Sequence, residues 1–295
     1  MTVAAAAFVV PMLVSSGPLP SGPRWGYEVK WDGIRGQVTV SDGAVTVRSR
    51  PGRDCSESFP ELAQPPPGLA GRSVVLDGEI VCLDRNGHPD FAAVRARLSR
   101  ATTVRRAWLA FMAFDVLSLE GEPTTHLPYR QRRQLLEGLA LEGPTWRAPA
   151  WFEEPFALLA ATRDQGLEGI VAQRLDSRYT AGERSAGWVK HKHLRTERLT
   201  VIGHARSVAR GARLLVASRA GGGELRYRGV VELGLGRDQL WEALQQLERP
   251  DCPLAWPRPP RGVTWVAPEL EGEVRCHGRN GALRDAAVSA VYLEQ

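Results

Sequence analysis

Lys30 stands within the stretch Glu28–Arg35, EVKWDGIR, between the carboxylates of Glu28 and Asp32. Alternation along a strand puts Glu28, Lys30 and Asp32 on one face and Tyr27, Val29 and Trp31 on the other. Gly33 then permits a tight turn with φ > 0. A lysine flanked by carboxylates is either an amine nucleophile or one rung of a salt-bridge ladder. Residues further along the chain bear on that choice.

Charged side chains recur at the ends of apolar runs. Asp77 and Glu79 alternate onto one strand face, Phe114-Asp115 sits inside an apolar run, and Glu168-Gly169 precedes Ile170-Val171-Ala172. Lys190 and Lys192 share a face of the run from Trp188. Convergent charge at strand ends marks a site between sheets. The acidic group Asp77, Glu79 and Glu168 suits Mg²⁺, a hard cation that takes oxygen ligands. The cationic group Arg35, Arg50, Lys190 and Lys192 suits phosphates. With one candidate nucleophilic lysine among them, this is chemistry for phosphoryl or nucleotidyl transfer. No G-x-x-x-x-G-K-[ST] stretch occurs, so a P-loop is not the phosphate cradle.

The elements that must hold these residues are mixed. Val38 and Val40, Asp42-Gly43, then Val45 and Val47 predict a hairpin with a type I′ turn. The polar loop Ser49–Gly52 follows. Ser73–Asp84 reads as one strand, with a hairpin at Asp77-Gly78 as the alternative. Asp90 is a helix N-cap, and Phe91, Val94 and Leu98 share a helical face. The apolar run from Trp108 is a buried strand. Pro128 opens a helix carrying Leu135, Leu136 and Leu139, and Pro155–Gln165 forms another, closed by Gly166 at C′. Beyond Arg195 the runs shorten. Leu199–Ala205, Arg213–Ser218 and Glu224–Leu233 read as strands, and Leu240, Trp241, Leu244 and Leu247 as one helix face. Two more strands follow around Val263–Val266 and Glu271–Cys276. This pattern predicts a small OB-type barrel, with a domain boundary near Glu197.

Composition narrows the class. A chain of 295 residues that is 43% hydrophobic can bury real cores and is globular. A net charge of +5 leans mildly towards a polyanionic partner. No Lys or Arg precedes Arg24, and no run reaches the roughly 20 apolar residues of a membrane span, so a soluble cytoplasmic protein is expected. The cysteines form no C-x-x-C pair, which argues against zinc and against a disulfide framework.

At this point the chain resembles the covalent nucleotidyltransferases, and among them the ATP-dependent DNA ligases. It looks most like the ligase domain of bacterial end-joining ligases, from Pro11-Met12-Leu13 to the penultimate strand. Six motifs carry the likeness in the family's order. EVKWDGIR resembles the K-x-D-G motif, which implies that Lys30 accepts AMP, with Asp32 and Arg35 in the same catalytic set. SRPG, from Ser49, implies a phosphate ligand at Arg50. LDGEIV implies Glu79 near the ribose or the metal. FDVL implies Phe114 as the ring that stacks on adenine. EGIVA implies Glu168 as a metal ligand and Val171 under the adenine. WVKHK implies Lys190 and Lys192 on the α-phosphate. Glu28 would accept from the adenine amino group. Arg35, Arg50, Arg210 and Arg213 would contact nucleic acid.

The fold that the resemblance implies is α+β. Residues 1–196 would form a nucleotidyltransferase (ATP-grasp-like) adenylation domain of antiparallel sheets and helices, and residues 197–295 an OB-fold. The implied cofactors are ATP and Mg²⁺ or Mn²⁺. The implied activity is sealing of nicked or broken duplex DNA by a monomer in repair, recombination or end joining, beside an end-binding or polymerase partner. Lys30 would form lysyl-AMP, AMP would pass to a 5′-phosphate, and the 3′-hydroxyl would close the phosphodiester. The alternatives are an RNA ligase or capping-type nucleotidyltransferase, and a nick- or end-binding protein with weakened catalysis.

Two departures stand out. Gln173 occupies the position where the family's E-G-x-V-x-K motif usually ends in lysine, and no lysine follows Lys192, so the terminal R-x-D-K motif is not evident. Arg284-Asp285 falls earlier than that motif would. In the family the terminal motif supplies cations to the leaving pyrophosphate. Losing one such contact costs about 2–4 kcal/mol, or roughly 10²–10³ in rate. Lysyl-AMP formation from ATP is therefore expected to be slow, and sealing of a nick already carrying 5′-adenylate near normal. Single-turnover assays of the two steps check this; fast first step and slow second would reverse it.

Overall fold

Runs of β-branched and aromatic residues decide this architecture. The computed structural model describes residues 8–99, 107–207, 211–221, 223–233, 238–256, 258–277 and 283–293. The chain divides into two compact units, Met1–Lys192 and His193–Gln295. The division falls slightly ahead of the expected 196/197 step, because the strand opening the second unit already begins at Arg195.

The first unit contains strands β1 (Leu13–Ser16), β2 (Trp25–Val29), β3 (Ile34–Ser41), β4 (Ala44–Ser49), β5 (Val74–Leu83), β6 (Trp108–Leu119), β7 (Glu122–Pro123), β8 (Trp146–Arg147), β9 (Gly169–Arg174) and β10 (Arg184–Lys192). Its helices are α1 (Phe91–Leu98), α2 (Tyr129–Gly138) and α3 (Pro155–Asp164). One sheet has the order β1-β10-β9-β2. The other has the order β4-β3-β5-β6-β7, with β8 paired to β6. The chain steps from the first sheet to the second between β2 and β3, over Lys30–Gly33.

Local signals were obeyed at most turns. Asp42 and Gly43 take φ of 50° and 77°, as a type I′ hairpin turn requires. Asp77-Gly78 does not turn; β5 continues through it, with a shift of register against β6. Asp90 caps α1 by accepting from the Ala93 N–H at 3.0 Å. Gly166 ends α3 with φ of 62°. Phe111, Leu76, Ile80, Val38 and Leu136 fill the core behind the second sheet, while Tyr27, Leu158, Ile170 and Ala172 pack α3 onto the outer face of the first.

Gly33 corrects the expected bend. It is absent from the left-handed glycines of this chain. Its reason is space: a Cβ there would lie 2.2 Å from the Ile80 carbonyl oxygen. The step between sheets is possible only because the backbone can touch β5.

The second unit is a closed barrel. Its elements are β11 (Arg195–Ser207), β12 (Gly211–Arg219), β13 (Leu225–Leu233), α4 (Asp238–Gln246), β14 (Glu248–Arg249), β15 (Thr264–His277) and β16 (Arg284–Leu293). The order β11-β12-β13-β16-β15 closes because β15 also pairs with β11. One helix before the last two long strands, with β13 and β16 parallel, is OB topology. The two strands expected after the helix are one, β15. Pro268 lies where the register with β11 jumps from Val201–Leu270 to Gly203–Trp265, a bulge that tolerates a residue without an N–H. Among the described residues, no helix is long and apolar enough to cross a membrane.

Replacing Gly33 by Ala should lower the unfolding free energy by about 1–3 kcal/mol, the usual cost of overpacking. Chemical denaturation of the two proteins measures it. Equal stability would mean that the sheets can separate at Ile80 without cost.

Candidate active site

Strand alternation builds one wall of the site. Glu28 pairs with Val171, and Val171 with Lys190, so the three side chains share the face of the first sheet opposite α3. The same face carries Trp188 beside Gln173, and Lys192 beside Gly169. Lys30 follows β2, its N–H held by the Gly169 carbonyl at 2.9 Å. Gly169, at φ of 145°, leaves only 2.1 Å between a notional Cβ and the His191 carbonyl oxygen. That close approach is what sets Glu168 against both lysine-bearing segments.

Glu168 is the centre. Its Oε2 accepts from Lys30 Nζ at 2.6 Å and its Oε1 from Lys192 Nζ at 2.7 Å. The glutamate side chain is only 5% exposed. Burial would raise its pKa, but Lys30 and Lys192 overcome this and hold it below the usual carboxylate value. Glu79, from the facing sheet, completes the group. Burial pushes its carboxyl up to about 7; Lys30 and Arg35 oppose, while Glu168 and Asp32 add to the rise. Every lysine of the chain is here: Lys30, Lys190 and Lys192, all other side-chain cations of fixed charge being arginine.

The second wall is aromatic and ionic. Arg35 forks onto Asp77 at 2.5 and 2.6 Å. Tyr179 donates to the same carboxylate at 2.6 Å and accepts from the Met12 N–H at 2.9 Å. The Arg35 guanidinium lies 4.4 Å from the centre of the Phe114 ring, and Trp188 meets that ring edge-on at 5.8 Å. Asp77, proposed from sequence beside the metal, is instead committed to Arg35. Glu28 is also enclosed: Tyr129 Oη donates to its Oε1 at 2.5 Å and Arg133 at 3.1 Å, while Oε2 takes no part in these bonds. Burial lifts its pKa to about 7 against Arg133 and Tyr129. Behind it, Arg132 forks onto Asp115 at 2.7 and 2.8 Å, both side chains wholly buried.

The structure thus brings together Lys30, Asp32, Arg35, Glu79, Phe114, Glu168, Val171, Lys190 and Lys192, with Glu28 at the side. Arg50 stands exposed on the loop after β4, outside this cluster. Arg213 is exposed on β12; Arg210 and the side chains of Arg206, Arg284 and Asp285 lie outside the described residues. Other barrel arginines are paired within their unit: Arg219 on the Pro268 carbonyl at 2.7 Å and Arg228 on Glu197 at 2.7 Å. Sequence reasoning missed Tyr129, Arg132, Arg133 and Tyr179. The available signal was Asp115, a carboxylate inside an apolar run that had to be paired if buried.

The donor set fits a hard divalent cation. Glu79 feels repulsion from Glu168 and Asp32 that such an ion would relieve. Among the described residues no group of three or more His, Cys, Asp or Glu forms a cage alone. Mg²⁺ needs none, since it takes one or two carboxylates and completes its shell with phosphate and water.

Comparison with known proteins shows the family of the chain. The family model described as ATP dependent DNA ligase domain matches residues 15–192, and ATP dependent DNA ligase C terminal region matches residues 209–291. The multifunctional non-homologous end joining DNA repair protein LigD of Mycobacterium tuberculosis is 37% identical over 90% of this chain, which spans 36% of that protein. A probable DNA ligase of Streptomyces coelicolor is 31% identical over 87% of this chain, covering 52% of its own length. The chain therefore spans roughly a third to a half of these relatives. A mycobacterial DNA ligase D structure complexed with ATP and MES is 34% identical with a TM-score of 0.61, covering 97% of this chain and 96% of its own. The ligase domain from M. tuberculosis LigD matches at 34% identity and TM-score 0.59, over 96% and 95%.

Glu28 and Glu79 make stability depend on pH. Both carry folded pKa values near 7, above the 4.5 of the free side chain. Protons are bound more tightly in the folded state, so the stabilisation is complete below pH 4.5 and is lost as pH rises through 7. Glu79→Gln should flatten the fall in denaturation midpoint between pH 5 and pH 8. Parallel curves for both proteins would show that Glu79 is charged at no cost.

Proposed function

The chain belongs to the ATP-dependent DNA ligase family, and we propose that it joins DNA strands through a covalent adenylate on Lys30. The observation that supports this best is the buried Glu168 shared by Lys30 and Lys192 between the two sheets. In the resting site Glu168 holds Lys30 as an ammonium. The attacking amine must leave that bond and shed its proton, and Glu79 and Glu168 are the adjacent carboxylates. Neutral Lys30 Nζ then attacks the α-phosphorus of ATP, a phosphoramidate bond forms, and pyrophosphate departs.

The remaining residues bind and orient. Val171, partly exposed beside Glu28 and Lys190, offers one face to the adenine. Phe114 supplies a ring whose pose Arg35 fixes. Glu28, clasped by Tyr129 and Arg133, flanks the base beside Val171. Lys190 and Lys192 offer donors to the α-phosphate. Glu79 and Glu168 would hold Mg²⁺ or Mn²⁺, which when bound supplies charge neutralisation at the phosphates. Water is kept out by the aromatic wall of Phe114, Trp188, Tyr129 and Tyr179.

AMP then passes to a DNA 5′-phosphate, and the 3′-hydroxyl displaces it. Arg35 and Arg213 are proposed DNA contacts; exposed Arg50 reaches phosphate only if its loop moves in. The likeness to LigD supports end joining as the setting, in the cytoplasm of a cell, by a monomer working beside an end-binding or polymerase protein.

Lys30→Ala should abolish acid-labile labelling of the protein by α-labelled ATP while leaving the fold intact. Lys30→Arg should fail as well, since a guanidinium stays protonated. Detectable protein-bound AMP in either variant would sink the assignment.

A further inference from the structure

We infer that Gln173, together with the indole N–H of Trp188, closes the far end of the base pocket and reads the edge of adenine. This rests on the adenylate reading above and extends it to a residue that departs from the family pattern. Gln173 is 2% exposed, and its Oε1 has no hydrogen-bond partner. Trp188 is also 2% exposed, and its Nε1 has none either. Buried polar atoms are nearly always paired, so two orphans on directly paired residues of adjacent strands point to a ligand.

The strand pitch says which part of the ligand. On one face of the first sheet the rows run Lys192 with Gly169, then Lys190 with Val171 and Glu28, then Trp188 with Gln173 and Gly26. Successive rows are about 6.7 Å apart, at about 3.3–3.4 Å per residue. A base lying on Val171 with its phosphates at Lys192 turns its far edge to the third row. Gly26 contributes no side chain to that row. The slot above it is filled by the Trp151 ring, 2.5 Å from where a Cβ would stand. Trp188 itself is held by edge-on contacts with Phe114, Tyr129 and Tyr179.

The chemistry matches. Adenine presents an amino donor next to a ring-nitrogen acceptor. The row presents an amide oxygen and an N–H that can only donate. A lysine in place of Gln173 would offer donors and no acceptor, so this contact belongs to this chain and not to the family's usual residue. Glu28 sits one row nearer the phosphates, and its Oε1 is already taken by Tyr129 and Arg133.

The test compares equilibrium binding of ATP with that of purine riboside triphosphate, which lacks the 6-amino group, in the absence of divalent cation. The wild-type chain should prefer ATP by about tenfold or more, the scale of one buried hydrogen bond. Gln173→Met, similar in shape but without an acceptor, should cut that preference to about twofold by weakening ATP alone. Gln173→Glu, which keeps an acceptor oxygen, should retain it. An unchanged preference in the Met variant overturns the proposal, as does equal weakening of both triphosphates, which marks a merely structural residue. If the Met variant does not fold, loss of the preference in Gln173→Glu overturns it. If the wild-type chain binds neither triphosphate, the adenylate reading falls and this inference with it.

Discussion

A buried carboxylate with two ammonium groups on it is the constraint around which this unit is built. Glu168 could not keep its charge at 5% exposure without Lys30 and Lys192, and neither lysine could reach it unless Gly169 brought β9 against β10 and the Lys30 backbone. The same fact explains why the step from β2 to β3 crosses between sheets at this point. Lys30 has to face inward from one sheet while Glu79 faces it from the other.

The layer between the sheets is ionic rather than oily. Arg35 with Asp77, Arg132 with Asp115 and Arg133 with Glu28 are buried or nearly so. Such pairs seldom add net stability, because desolvation offsets the attraction. Their geometry is nevertheless well satisfied: Arg132 also donates through Nη1 to both the Leu127 and Ser177 carbonyls. What these pairs provide is position. Arg35, fixed by Asp77 and Tyr179, in turn fixes the Phe114 ring, and the fork of Arg132 ties α2 to β6. A layer made this way holds the walls of the site in place before any ligand arrives.

Much of this was legible in the sequence because it depends on local period. Alternation in EVKWDGIR and WVKHK sorted the side chains onto the correct faces, and the Asp42-Gly43 turn and the Asp90 cap follow from short-range chemistry. What was not legible depends on long-range approach. Gly33 looked like a turn glycine, but its need is set by Ile80 on another strand. Nothing local in the helix after Pro128 marked Arg132 and Arg133, whose partners lie 17 and 105 residues away. An OB-type barrel could be read from several short strands around one helix, whereas the single long β15 could not, since Pro268 broke the run at a bulge invisible without its partner strand.

The concentration of lysine has a practical consequence. The three lysines of this chain line one cleft, two of them on the same carboxylate, and every other fixed positive side chain is a guanidinium. Acylating reagents, imidate cross-linkers and lysine-directed proteases therefore meet the lysines of these 295 residues at one address. Covalent modification becomes a direct readout of occupancy: whatever fills the cleft shields all the ε-amines together, and whatever leaves it exposes them together.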